Sequence, residues 1–361
     1  MINDNNNIIV DGQNNIKNYN NNSNLNLDTK GTIKFDQNHS LKDILISNTK
    51  FKENFELLDY VGSGSESKVY KGIVKKNRKI IVIKIIDNEQ SHDNKNELEI
   101  SSKLRHKNII NNYCSDIDNN ICYIVMENAE FGNINDFMRN IINKTYLSEQ
   151  MLCYLAYNIL NGIIYCHKNK VAHRDIKPNN IVVDKFINIK LIDFSISLNY
   201  QKYKPNDKIK LSLKGTNFYI PIEVIAKQRI KCKDLNKIDI YSFGVLLYYL
   251  AFQKYPYNLE KDDADDYDKI YKNIYKNDIG IDKENKEFSL AFYDFLSKII
   301  EKDIYNRMDI YAARDHYWIK GAHILLTEKE KILNINTFIS YLLSNHIKAF
   351  NDYIQRYNKS K

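Results

Sequence analysis

The hydrophobic pattern of this chain changes its period once, near residue 128, and that change limits the fold more than any other feature. Upstream, short apolar runs of strand length alternate with turns; downstream, apolar residues recur at helical spacing. Phe55 to Val61 and Val69 to Val74 read as strands joined by the turn "GSGSES". A third strand, "IIVIKII" from Ile80 to Ile86, follows the basic turn "KKNRK". A helix is expected around "KNELEISSKL", with Leu98, Ile100 and Leu104 on one face, and "IINNYCSDI" and "ICYIVMEN" supply two more strands. The expectation is an α+β chain, with a first lobe made of an antiparallel sheet of about five strands and one main helix.

Past Asn128, "INDFMRNII" reads as one helix and "SEQMLCYLAYNILNGIIYCHK" as a long one capped by Ser148. Two short strands, "NIVVD" and "IKLID", are followed by some thirty loop-like residues up to Glu223. The remainder is mostly helical and includes the strongly apolar "DIYSFGVLLYYLA". From about Thr327 to Tyr357 the residues Ile335, Phe338, Ile339, Leu342, Leu343, Ile347, Phe350 and Ile354 keep helical spacing, which predicts an amphipathic helical extension. The expected organisation is a tail over 1–50, a bilobal domain over 51–319 divided into 51–127 and 128–319, and the extension over 320–361.

The tail differs in kind. Twelve of the first thirty residues are Asn and no apolar periodicity is present, so disorder is expected. Elsewhere 43% hydrophobic and 27% charged residues describe a globular chain. The net charge of +8 is compatible with anionic partners, but the cations look scattered, acidic runs such as "EKDDADDYDK" lie among them, and no nucleic-acid-reading motif accompanies them. A nucleic-acid partner is not expected. Five cysteines without a C-x-x-C pair argue against a disulfide framework or a zinc site. Without a signal sequence, a lipidation motif or an apolar run of membrane-spanning length, the expected location is intracellular, cytoplasmic or nuclear, with no membrane anchor.

The stretch "VAHRDIKPNN" packs a His, an Arg, an Asp, a Lys and an Asn into eight positions between an apolar helix and the run "IVV". A solvated loop could carry them. With the other parts in order along the chain, however, "HRDIKPNN" resembles the catalytic loop H-R-D-x-K-x-x-N of the eukaryotic protein kinase family, serine/threonine type. The resemblance covers about Phe55 to Ile319 and implies the bilobal protein-kinase fold, with a larger, mostly helical second lobe.

What the resemblance implies for the site follows from the demands of phosphoryl transfer: a held polyanion, neutralised charge and one aligned hydroxyl. "GSGSESKV" resembles the glycine-rich loop that covers the ATP phosphates, with Val61, Gly62 and Gly64 in place and Ser67 where a third glycine is usual. Lys84 in "IVIK" would hold the nucleotide phosphates and pair with Glu97 rather than Glu99. Asp175 would receive or orient the substrate hydroxyl proton, and Lys177 would contact the moving phosphate. Asn180 and Asp193 would hold Mg²⁺, although Asp193 stands in "DFS" where the family has D-F-G. Met126 would be the gatekeeper, Glu127 to Ala129 the hinge whose backbone bonds adenine, and Val69, Val82 and Val182 would wall the ring. Glu223 in "GTNFYIPIEV" would pair structurally with Arg307, Asp239 would brace the catalytic loop, and Trp318 would close the domain.

For regulation, Arg174 would grip a phosphate on Ser212, and Thr216 belongs to the same segment. Lys177 favours serine/threonine over tyrosine kinases. Asn133, Asn179 and Tyr249 stand where arginine-directed kinases carry acidic residues, which disfavours that substrate preference. The implied reaction is transfer of the γ-phosphate of ATP to serine or threonine of a protein substrate, with autophosphorylation of the activation loop. Ser67, Ser195 and Ile222 keep open a nucleotide-binding pseudokinase or scaffold, and the 327–357 stretch keeps open a docking role for a protein partner.

Overall fold

The computed structural model describes residues 49–63, 67–87, 93–118, 121–142, 147–259, 266–280, 287–332, 334–344 and 347–360. The expected tail, up to residue 48, and Gly64 lie outside the described residues. Among the described residues a short helix α1 (Thr49–Asn54) comes first, and its Phe51 is buried in the small lobe, so packing extends ahead of strand β1.

Strands β1 (Phe55–Ser63), β2 (Ser67–Val74) and β3 (Ile80–Asp87), helix α2 (Asp93–Lys103), and strands β4 (Asn112–Asp118) and β5 (Ile121–Glu127) build the small lobe. The sheet is antiparallel with order β1-β2-β3-β5-β4. Strand β3 sits in the middle, which is why its apolar residues are continuous: both of its faces are covered. The two-residue period sends Ile81, Ile83 and Ile85 to a core with Phe51, Tyr70, Tyr123 and Val125. It sends Val82, Lys84 and Ile86 to the other face, where Ile86 packs with Cys122, Ile124 and Leu98 of α2. Ile100 of α2 and Leu104 just past its end join the core of the large lobe, so this helix bridges both bodies.

The large lobe opens with α3 (Ile134–Phe137), which widens into a π turn over Met138–Ile142 instead of continuing as the single expected helix. Helix α4 (Glu149–Lys168) starts at Ser148, whose Oγ accepts from the Met151 N–H. It is apolar nearly all round and correspondingly buried. Gly162 lets it pass close beneath the site: a Cβ there would stand 2.8 Å from the Asn108 carbonyl oxygen and 2.9 Å from Leu191. Short strands β6 (Val171–Ala172), β7 (Ile181–Val183), β8 (Ile189–Leu191) and β9 (Leu198–Asn199) follow; β6 pairs with β9 and β7 with β8.

Ahead of α5, three elements lie in the region expected to be loop: β9, β10 (Lys208–Lys210) and a 3-10 turn over Asn217–Tyr219. Then come α5 (Ile222–Ile225), β11 (Arg229–Lys231), which pairs with β10, and α6 (Asn236–Phe252), the buried axis of the lobe. Helices α7 (Tyr267–Lys276), α8 (Leu290–Ile299), α9 (Ile310–Asp315) and α10 (Tyr317–Lys320) complete it.

The C-terminal stretch is three helices, α11 (Ala322–Lys331), α12 (Ile335–Leu343) and α13 (Lys348–Ser360), where the apolar spacing suggested one. Asn334 restarts the helix by accepting from the Thr337 N–H, and both breaks leave the same side of the chain facing inward, so the period survives them. Phe338, Ile339, Leu342, Ile347, Phe350 and Ile354 are buried in the same core as α4 and α6. Tyr317 and Tyr353 stack at 4.2 Å, and each hydroxyl donates to the other's carbonyl, at 2.6 and 3.0 Å. Packing is continuous across residue 320, and the apolar face weighed as a docking surface is covered by the chain's own large lobe. No helix among the described residues is long and apolar enough to cross a membrane.

Candidate active site

Lys84 reaches the site because β3 is central and its side chain points to the α2 face. Its Nζ lies 2.6 Å from Glu97 Oε1 and 2.9 Å from Asp193 Oδ1. Burial alone would push this ammonium toward neutrality, but the charges of Glu97 and Asp193 more than reverse that and hold Lys84 above its usual range. Asp193 shows the same contest with opposite sign: burial raises its carboxyl, and Lys84 then outweighs burial to bring it down to about 2. Glu99 points away and forms an exposed pair with Lys103.

The polar stretch 173–180 leaves β6 above α6 and is held from below. Asp239, fully buried, accepts from the His173 N–H at 2.8 Å and the Arg174 N–H at 2.7 Å, and it meets His167 Nε2 at 2.7 Å. Three partners on one carboxylate compensate its burial. They also hold Arg174 in a left-handed conformation, φ 69°, which a non-glycine residue adopts only at some cost. His167, which nothing in the sequence singled out, belongs to this brace, as does Tyr200, 3.1 Å from its other ring nitrogen.

Asp175, buried, is ringed by donors. Asn180 Nδ2 donates to Oδ2 at 2.7 Å and Thr216 Oγ1 donates to Oδ1 at 3.0 Å. Lys177 Nζ stands 2.7 Å from Asp175 Oδ2 and 2.7 Å from Thr216 Oγ1. Thr216 therefore sits on the Asp175 carboxylate, a contact that its grouping with the regulatory residues did not anticipate.

The register brings the remaining residues together. Cα pairs run Gly62↔Val69, Val69↔Lys84 and Val82↔Met126, which places Val69 and Val82 on the strands beside the lysine. Val61 is exposed at the mouth. Glu127 closes the small-lobe sheet, its N–H donating to the Asn111 carbonyl at 3.0 Å, and the chain turns past Ala129, whose carbonyl accepts from the Gly132 N–H at 3.0 Å. The Val183 N–H donates to the Gly132 carbonyl at 2.9 Å and the Phe131 N–H to that of Val183 at 3.0 Å, which fixes Val182 under the hinge. Strands β7 and β8 then carry Asn180 and Asp193 side by side at the open end of one hairpin, where the Ile192 N–H donates to the Asn180 carbonyl at 3.0 Å. The turn of this hairpin is tied to the extension: Lys329 Nζ donates to Tyr154 Oη at 2.7 Å and Asn188 Oδ1 at 3.2 Å.

The donor set fits a hard cation. Asn180 spends its Nδ2 on the Asp175 carbonyl at 2.9 Å and carboxylate at 2.7 Å, leaving the amide oxygen as its ligand atom, and Asp193 is held ionised. Ser195 replaces a glycine without strain, because positive φ falls at Asp193, 66°, and not at Ser195. Arg174 reaches the neighbouring segment, its Nη2 donating to the Ser212 carbonyl at 2.7 Å and to Oγ at 3.1 Å. Below, Glu223 and Arg307 form a buried two-point ion pair at 2.6 and 3.1 Å.

Comparison with known proteins agrees with this geometry. A family model described as the protein kinase domain matches residues 55–319. An Aurora kinase of Dictyostelium discoideum is 28% identical over 291 residues, covering 78% of this chain and 70% of its own length. Serine/threonine-protein kinase 4 homolog B, also of Dictyostelium discoideum, is 33% identical over 207 residues, 56% of this chain but only 18% of that protein. Calcium-dependent protein kinase 5 of Plasmodium berghei is 30% identical over 306 residues, 82% of this chain and 51% of its own. The chain thus spans less than two thirds of the length of two of these three relatives.

Proposed function

Since the chain belongs to the protein kinase family, of serine/threonine type, we propose that it transfers the γ-phosphate of ATP to serine or threonine hydroxyls of protein substrates, as a non-specific serine/threonine protein kinase. The observation that carries the reading is the sharing of one ammonium between two distant carboxylates. Glu97 is 13 residues from Lys84 and Asp193 is 109, yet both lie within ion-pair distance of its Nζ. A fold that only needed a core would gain nothing from burying Lys84 and Glu97 and half-burying Asp193 beside them, since each charge costs solvation.

In this reading Lys84, kept charged and oriented by Glu97, holds the nucleotide phosphates. Asp175 accepts the hydroxyl proton, with Thr216 and Asn180 fixing its carboxylate, and Lys177 moves from Asp175 onto the transferring phosphoryl group. Asn180 and Asp193 would hold Mg²⁺, which would supply further neutralisation of phosphate charge. Val61, Gly62, Val69, Val82, Met126, Glu127, Ala129 and Val182 enclose the nucleotide. Arg174 lies ready for a phosphate on Ser212, which the chain adds to itself, ordering the segment between β10 and Thr216. Asn133 caps α3, Asn179 is exposed and Tyr249 stacks on Tyr255 at 5.4 Å; none of the three brings a carboxylate, which disfavours an arginine-directed preference of the common type. The cysteines are free and four of the five are buried, in keeping with a reducing, intracellular setting.

The test is incorporation of labelled phosphate from ATP into a mixed protein substrate. Wild type should label it and Asp193→Asn should not. Equal labelling by both, or none by wild type with Mg²⁺ present, overturns the proposal.

A further inference from the structure

The pairing of β10 with β11 creates a charged surface that is invisible along the chain. The strands lie twenty residues apart and align Lys208 with Lys231, Ile209 with Ile230 and Lys210 with Arg229. Ile230 is buried and Ile209 packs on the same core, so alternation turns Lys208, Lys210, Arg229 and Lys231 to the outer face. Two like-charged pairs thus stand directly opposite each other, an arrangement that destabilises a sheet. Among the described residues no carboxylate forms an ion pair with any of the four. From Tyr200 to Pro221 there are five lysines and a single acid, Asp207, whose Oδ2 accepts from the Lys204 N–H. From Val224 to Lys233 there are four cations and no acid.

We infer that this outer face of the β10–β11 pair is a docking surface for a carboxylate-rich segment of the protein substrate, one that flanks the phosphorylated residue. The inference rests on the proposed kinase reading, because it assigns the substrate class of that same site. Its position supports it: β10 ends at Lys210, and six residues later Thr216 touches Asp175. At the chain's extended reach of roughly 3.5 Å per residue, the patch lies within about 20 Å of the carboxylate that would meet the substrate hydroxyl. An acidic run within about six residues of that hydroxyl spans the gap. Charge complementarity calls for an anionic partner, since anionic groups relieve two uncompensated cation pairs fixed by a backbone ladder. A protein segment is favoured over nucleic acid because the surface adjoins the place where a protein hydroxyl is delivered.

The experiment uses the full chain in a Ser212→Ala background, so that its own phosphate cannot occupy the cations. Fluorescence anisotropy follows two serine peptides of equal length, one flanked by Asp and Glu and one by Gln and Ala. The acidic peptide should bind more tightly. Lys208→Gln/Lys210→Gln/Arg229→Gln/Lys231→Gln should weaken it by about tenfold or more, the sum of four exposed ion pairs, and leave the neutral peptide unchanged. This variant should melt at or above the wild-type temperature, because repulsion has been removed; if it melts lower, the Lys210→Gln/Arg229→Gln protein and a salt titration of the unsubstituted surface replace it. Equal binding of both peptides, salt-independent binding, or tight binding of single-stranded RNA in place of the acidic peptide overturns the inference. Phosphorylation of the two peptides by the chain with Ser212 intact is read separately: acidic-peptide binding without turnover counts against the kinase reading alone, and turnover without acidic preference counts against the docking surface alone.

Discussion

Replacing Asp239 with Asn tests how the catalytic loop is held. The amide keeps the size of the carboxylate but has one acceptor oxygen, whereas Asp239 serves the Arg174 N–H through Oδ1 and the His173 N–H and His167 through Oδ2. Whichever way the amide turns, at least one buried backbone N–H faces an NH₂ group. An unsatisfied buried donor costs about 1–3 kcal/mol, and exchanging a charged acceptor for a neutral one adds to it, so Asp239→Asn should lose about 3 kcal/mol of stability. Arg174, at φ 69°, should relax once released, moving Asp175 next to it. A misplacement that raises the barrier by ~1.4 kcal/mol already means about tenfold in kcat. The assays are urea unfolding and steady-state kinase turnover on the same preparation.

The same substitution carries a pH signature. Burial would raise the Asp239 carboxyl, but the hydrogen bond and charge of His167 bring it below the ordinary value. A carboxyl depressed by folding stabilises the protein above its unfolded value, about 3.9, and this stability is lost as pH falls through the folded value. Between about pH 5 and pH 3 the wild type should therefore lose more stability than Asp239→Asn. Unfolding within about 1 kcal/mol of wild type, together with unchanged kcat, would refute the brace.

Thr216→Ala should lower kcat by about 10- to 100-fold, since a hydrogen bond to a charged group is worth roughly 1.5–3 kcal/mol, and Thr216→Ser should restore most of it; an unchanged Thr216→Ala rate makes this contact incidental. Arg307→Met leaves the buried Glu223 carboxylate unpaired and should cost about 3–5 kcal/mol in urea unfolding. Glu223→Gln/Arg307→Met should cost less than the two single changes added; strict additivity would show that the pair is not coupled. Leu342→Ala, at a fully buried position of α12, should cost about 2–5 kcal/mol within one cooperative transition. A separate early transition would instead make the extension an independent unit.

The extension and the region before α5 show where reading along the chain falls short. Helical spacing from Thr327 to Tyr357 marked which residues turn inward, but α11, α12 and α13 share that inward side across two breaks, so spacing could not reveal the breaks. It also could not reveal what covers the face, because the covering residues lie on other elements, α4 and α8 among them: Asp294 meets Tyr357 across 63 positions and Ser148 meets Leu342 across 194. Thr216 was legible as a member of a motif segment; its place on Asp175 follows from how the 3-10 turn docks against the loop 173–180. His167 gave no signal at all, lying within the apolar helix α4, and became part of the site only when α6 brought Asp239 beneath it.

Local order in this protein, strand or helix, together with the cast of Lys84, Glu97, Asp175, Asn180 and Asp193, was written into the linear chain, because side-chain periodicity and short motifs depend on near neighbours. Docking decided the meetings that no motif named: Asp193 joining Glu97 on Lys84, Thr216 on Asp175, and four cations on one face of β10 and β11. Such meetings join residues tens of positions apart, and they depend on sheet register and helix packing, which no local run of residues encodes.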